Sequence, residues 1–144
     1  MTPTLYMSNA ASRLPPFRGP GRVLTIMARP RPLYGEAGVG SVPLLIPPWE
    51  WVEGAKAGTL DWTEYRRRYL AELELSRSRG DLSPGNLYTR IPYDPRFGAV
   101  EDGDTLICAC SREAAAAGRC HRVWAGEALR SAGWAVVLDG ELLP

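Results

Sequence analysis

Lysine is nearly absent from this chain: Lys56 is the single one, and every other basic side chain is an arginine. Histidine also occurs once, as His121. A surplus of one charge is lacking too. The formal net charge of +1 removes any global electrostatic attraction to nucleic acid or to an anionic membrane surface. No uninterrupted apolar run approaches the roughly 18 residues that a membrane-spanning helix needs, so no membrane partner is expected. The opening MTPTLYMSNAASR has no basic stretch followed by a long apolar one, and does not read as a secretion signal. Three cysteines cannot all pair within one chain, which points to a reducing compartment. The expectation is a cytoplasmic protein, bacterial or from a virus that infects bacteria.

What is present suits one folded domain spanning 1–144. That length is usual for a single domain. With 45% hydrophobic and 23% charged residues, the chain has material for a core and is not compositionally disordered. The bias toward arginine has a plain reading, a GC-rich coding sequence, and this is preferred. Its functional reading is bidentate recognition of phosphate or carboxylate by planar guanidinium groups.

Residues 4–8 (TLYMS) and 22–28 (RVLTIMA) are short apolar runs that predict buried strands. Prolines and glycines in 13–21 forbid a regular element there. Residues 29–48 form a long Pro/Gly-rich loop, of the kind that is functional or mobile in a compact domain. Pro48 suits the first position of a helix to Ala57, which Gly58 stops. Asp61 is a good N-cap, with Glu64 three residues on as in a capping box. Trp62, Tyr65, Tyr69 and Leu73 then recur at helical spacing as a buried stripe, predicting a helix over 61–78. Arg66, Arg67 and Arg68 read as its solvated face. Residues 79–103 read as an irregular excursion. The last third predicts a strand at 104–110, a short helix or loop at 111–117, a helix from Cys120 to Ser131, and a strand at 134–138. The fold class expected is α/β: a small domain with a mostly parallel sheet flanked by helices, ending in a βαβ unit.

Ligands of such units bind beyond the carboxyl ends of the strands, near the start of the following helix. Cys108 and Cys110 close the predicted strand, on one face by their spacing. Cys120, His121 and Arg122 open the helix, where free N–H groups and the helix dipole favour an anion or a thiolate. Three readings follow. An anion or nucleotide is held by the helix N-terminus and Arg122. Cys120 is a nucleophile, with His121 or Arg122 lowering its pKa. Or the three cysteines and His121 hold structural zinc, for which the ligand types are right but the paired C-x-x-C spacing is missing. The plain alternative makes Cys108 and Cys110 small core residues, with His121 bonded to a backbone carbonyl. The anion reading leads, with no metal and no cofactor. Asn9 and Arg29 follow the first two strands and are candidates to line the same cleft.

The segment TLICACSREAAAAGRCHRVWAGEALRSAGWAVVLDGE resembles the end of a bacterial and phage family known as domain of unknown function 488. That family carries a strand ending in C-x-C, a C-H-R that opens a helix, and a strand ending near an acidic residue. LYMSNA and KAGTLDWTEYRRRYLAELE resemble its opening strand and its helix. The resemblance implies a compact α/β fold with Cys108, Cys110, Cys120, His121 and Arg122 beside a pocket, and no particular reaction. The chain departs from it in a longer, alanine-rich stretch between Cys110 and Cys120 and in a larger 79–103 excursion.

The leading functional expectation is a site for a phosphate-bearing or nucleotide-like small molecule, with cysteine-dependent chemistry left open. The alternative is a protein that binds a host macromolecule through the 29–48 and 79–103 segments. An exposed apolar patch around 44–51 would favour that alternative.

Overall fold

The computed structural model describes residues 2–9, 17–28, 40–90 and 98–144. A six-stranded sheet organises them: β1 (Thr4–Asn9), β2 (Val23–Thr25), β3 (Gly40–Ser41), β4 (Thr105–Cys108), β5 (Ala135–Leu138) and β6 (Glu141–Leu142). The spatial order is β3-β2-β4-β1-β5-β6. All neighbours are parallel except β6, which turns back antiparallel on β5. The α/β class with a mostly parallel sheet is therefore as the sequence indicates. β4 is buried at every position, as a central parallel strand should be.

The C-terminal unit differs in one respect. β4 and β5 are parallel, but they are not neighbours, because β1 lies between them and pairs with both. β4 also ends two residues earlier than its apolar run suggests. Its pairing with β2 stops at Ile107 and its pairing with β1 stops at Cys108, opposite Asn9. Among the described residues no strand pairs with β4 beyond that point.

Among the described residues, four α-helices connect the strands: α1 (Trp49–Ala57), α2 (Trp62–Ser78), α3 (Arg112–Ala116) and α4 (His121–Ser131). Pro48 precedes α1 as its N-cap, and Gly58 ends it in a left-handed conformation. Asp61 caps α2 by accepting a hydrogen bond from the Thr63 N–H at 2.7 Å. Glu64 does not serve there as a capping-box partner. Its carboxylate accepts from Arg67 and Arg68 instead. Gly80 closes α2, donating to the Arg77 carbonyl while Asp81 donates to that of Ser76. The 29–48 loop is more regular at its end than its composition suggests, since it holds β3 and a 3₁₀ turn at Pro43–Leu45.

Leu5 and Met7 of β1 alternate onto one face of the sheet, where Met7 and Val136 meet Gly126 of α4. Helix α2 packs on α4 through aromatic edges, with Tyr65 and Trp124 centroids 5.0 Å apart. Tyr69 lies beneath them and donates its hydroxyl to the Leu45 carbonyl at 2.7 Å. The stripe of α2 is therefore Tyr65, Tyr69, Leu73 and Ser76, while Trp62 is only half-buried. At the amino end of the sheet, Asp104 is buried and accepts from the Arg22 backbone and guanidinium. The carboxyl end is where the cysteines lie. Because the buried Trp124 packs α4 against Tyr65 and Tyr69 of α2, Trp124→Ala is expected to cost about 3–5 kcal/mol of stability, measured by denaturant unfolding.

Candidate functional site

β4 delivers Cys108 to the carboxyl edge of the sheet, fully buried. The chain then leaves the sheet through Ala109 and the half-buried Cys110. Ser111 caps α3, accepting from the Ala114 N–H at 3.1 Å. After α3, a left-handed Gly118 turns the chain back, so that Cys120 becomes the N-cap of α4. Its sulfur accepts from the Arg122 N–H at 3.5 Å. The return brings Cys120 Sγ to 3.0 Å from Cys108 Sγ. All three sulfurs lie within 4.8 Å of one another, as free thiols.

Arg122 turns inward on this cluster and is fully buried. Its Nη1 donates to Cys108 Sγ at 3.1 Å and to the Cys110 carbonyl at 2.9 Å, and lies 3.6 Å from Cys120 Sγ. Its Nε and Nη2 donate to the two carboxylate oxygens of Asp139 at 3.2 and 2.8 Å, the bidentate arrangement that suits a guanidinium. A tight turn places that carboxylate. Asp139 and Gly140 both adopt positive φ, 48° and 89°, between the antiparallel β5 and β6. This is the Asp-Gly pattern of a two-residue hairpin. The anion that the helix start and Arg122 face is thus the protein's own sulfur.

The electrostatics follow. Burial opposes a charge on Cys108. Hydrogen bonds from the Cys110 and Cys120 thiols, followed by the smaller effects of His121 and the Arg122 cation, outweigh it, so Cys108 ionises well below the usual thiol range. The negative Cys108 sulfur in turn pushes Cys110 up to about 11. Burial and the same sulfur raise Cys120 well above its usual value. Burial also opposes the charge of Arg122, but Asp139 and the sulfurs hold it protonated. One of the sequence readings offered a thiolate at Cys120; of the two buried sulfurs, Cys108 is the one held below the usual thiol range and Cys120 the one held above it.

His121 does not point at the sulfurs. Its Nε2 lies 2.7 Å from the Ile26 carbonyl, which can only accept, so Nε2 carries the hydrogen and Nδ1 the lone pair. Burial lowers its pKa and keeps it neutral. The ring packs edge-on to Tyr69 at 5.7 Å. The ligand atoms that lie together among the described residues are the three sulfurs, without the His121 that the zinc reading requires, and the Arg122 guanidinium lies against two of them.

Beside the cluster is a cavity of about 240 Å³. Met27 and Ala28 beyond β2, Ala109 and Cys110 beyond β4, and His121 form its sheet side. Trp49, Lys56, Trp62, Tyr65 and Arg119 close the other. The Arg119 guanidinium lies over Trp62, 5.8 Å from the ring centroid. Of the predicted site residues, Cys110 and His121 line this cavity, while Cys108, Cys120 and Arg122 lie behind it. Asn9 ends the central strand opposite Cys108, with a buried Oδ1 that has no hydrogen-bond partner among the described residues. Arg29 lies outside the described residues. Leu44 and Trp51 are half-buried rather than forming a bare apolar patch.

No family model, curated protein or solved structure matches the chain. The resemblance drawn from the C-x-C and C-H-R residues accordingly stands on those residues alone. No helix among the described residues is long and apolar enough to cross a membrane.

Lys56, Arg119 and Asp139 were not singled out from the sequence. Lys56 had a signal, as the sole lysine, and Asp139 had one in its Asp-Gly dipeptide. Arg119 had none beyond adjacency to Cys120.

Removing the Arg122 cation should release the Cys108 thiol. In Arg122→Met, the first thiolate, followed by its ultraviolet absorbance against pH, is expected to appear roughly 1–3 pH units higher than in the wild type. His121 supplies a second dependence on pH. Its folded pKa is depressed, so its contribution to stability is complete above the unfolded value of about 6.5 and is lost as pH falls through the folded value. Denaturation midpoints compared at neutral and mildly acidic pH should show a smaller acid loss in His121→Gln.

Proposed function

We propose that the protein binds a small anionic ligand, phosphate-bearing and nucleotide-like, in the cavity beside the cysteine cluster. The observation that carries this reading is the cavity's lining. Two cations, Lys56 and Arg119, stand with three aromatic rings, Trp49, Trp62 and Tyr65, and among the described residues no carboxylate lines it. A planar ring suits the aromatic walls, and a phosphate or carboxylate suits the two cations. The volume of about 240 Å³ is below the roughly 300–1,000 Å³ of drug-sized sites. It favours one ring with one charged group over a dinucleotide.

In this reading Arg122 is a positioning residue. It holds the cluster in place and never meets the ligand. Cys110 is the sulfur nearest to solvent, and burial and Cys108 keep it a thiol, so it contacts the ligand as a weak donor. The position, beyond the carboxyl ends of β2 and β4 where the strand order crosses over, is where open parallel sheets take their ligands.

Thermal unfolding in the presence of nucleoside monophosphates and of inorganic phosphate tests it. A ligand at about 100 times its Kd adds about 2.7 kcal/mol, several degrees in Tm for a domain of this size. Lys56→Ala and Arg119→Ala are expected to abolish that rise without changing the Tm of the free protein appreciably. A flat response to every anion would overturn the reading.

A further inference from the structure

The three sulfurs, Cys110 on the cavity wall and Cys108 and Cys120 behind it, have a mutual geometry that ligand binding in the cavity does not use. Around one centre with metal–sulfur bonds of roughly 2.3 Å, three sulfurs stand roughly 3.5–4 Å apart. Here Cys108 and Cys120 are 3.0 Å apart and all three lie within 4.8 Å, so small side-chain rotations bring them onto such a centre. Coordination number then selects the centre. Among the described residues, His121 contributes none of the ligand atoms gathered there. The fourth side is taken by the Arg122 Nη1 cation, 3.1 Å from Cys108 and 3.6 Å from Cys120. Zinc in a structural site takes four ligands and finds three.

Charge selects further. The Arg122 cation is shared between Asp139 and Cys108, so the sulfur cluster has counter-charge for no more than part of one negative charge. A univalent soft ion on three thiolates would leave two negative charges, and a divalent one would leave one. A trivalent centre leaves none. Trivalent arsenic and antimony also keep a lone pair where a fourth ligand would stand, so three sulfurs complete their shell.

We propose that Cys108, Cys110 and Cys120 form a three-thiolate site for a trivalent soft metalloid such as arsenic(III). With arsenous acid, three As–O bonds break and three As–S bonds form. Each hydroxide leaves as water, with a proton from Cys110, from Cys120 and, in place of the already ionised Cys108, from solvent. No electron moves. Cys110 is the half-buried sulfur that lines the cavity, so exchange begins there and passes inward to the two buried sulfurs.

The test uses the reduced full-length protein and arsenite. One arsenic per chain should remain after desalting, with new ultraviolet absorbance from S–As bonds and loss of all three thiols to a colorimetric thiol reagent. Cys110→Ser, at the half-buried position, should fold and should weaken binding by more than the roughly 10–100-fold that loss of an outer-shell partner costs a metal site. Lys56→Ala should bind arsenite as the wild type does, which separates this site from the anion site. The proposal fails if arsenic stays well below one per chain, if only two thiols are protected, if Cys110→Ser binds equally well, or if zinc displaces arsenite at equal concentration.

Discussion

A guanidinium with no exposed surface needs its counter-charge and its acceptors close at hand, because an unpaired buried charge costs several kcal/mol. Arg122 satisfies that need from three places at once: the Asp139 carboxylate at the β5–β6 turn, the Cys108 sulfur at the end of β4, and the Cys110 carbonyl beyond it. Since the cation rides on the first turn of α4, these bonds tie a helix start to the ends of two strands that are not paired with each other. β1 lies between those strands, and the turn is fastened to it as well, with the Asp139 N–H donating to the Met7 carbonyl at 3.0 Å. Position of the helix, depth of the cysteines and conformation of the hairpin are therefore one constraint.

The charge on Cys108 depends on the same cation. A thiolate fully removed from water is unfavourable alone; beside Arg122, two neighbouring thiols and a helix N-terminus it becomes the favoured state of the cluster. That leaves the cations at the cavity mouth, Lys56 and Arg119, free of any role in neutralising sulfur. The two halves of the site divide by polarity, with negative sulfur charge behind and positive charge with aromatic walls in front.

Much of the local structure was legible before any coordinates. The 61–78 helix follows from an Asp61 cap, a periodic aromatic stripe and a left-handed Gly80 at its close. The α/β class follows from apolar runs alternating with amphipathic ones. Other features were not. Trp62 shares the helical spacing of Tyr65 and Tyr69, yet it faces the cavity edge, because spacing gives the side of a helix but not how far the neighbouring layer extends. Glu64 sits where a capping box would use it, but two arginines on the next turn compete for the carboxylate. The strand reading of 104–110 ran two residues long because apolar character continues to Cys110 while the partner strands stop.

By itself, the sequence determined that Cys108, Cys110, Cys120, His121 and Arg122 would gather where a strand ends and a helix begins, since cap, turn and periodicity are properties of adjacent residues. Only the tertiary structure decided what each of them faces. Arg122 turns to Asp139 and His121 to Ile26, partners 17 and 95 residues away, and the thiolate goes to Cys108 rather than Cys120. Burial and charge are set by what packs on a group from every side, and β1, nearly a hundred residues upstream of β4, is the strand that brings those sides together.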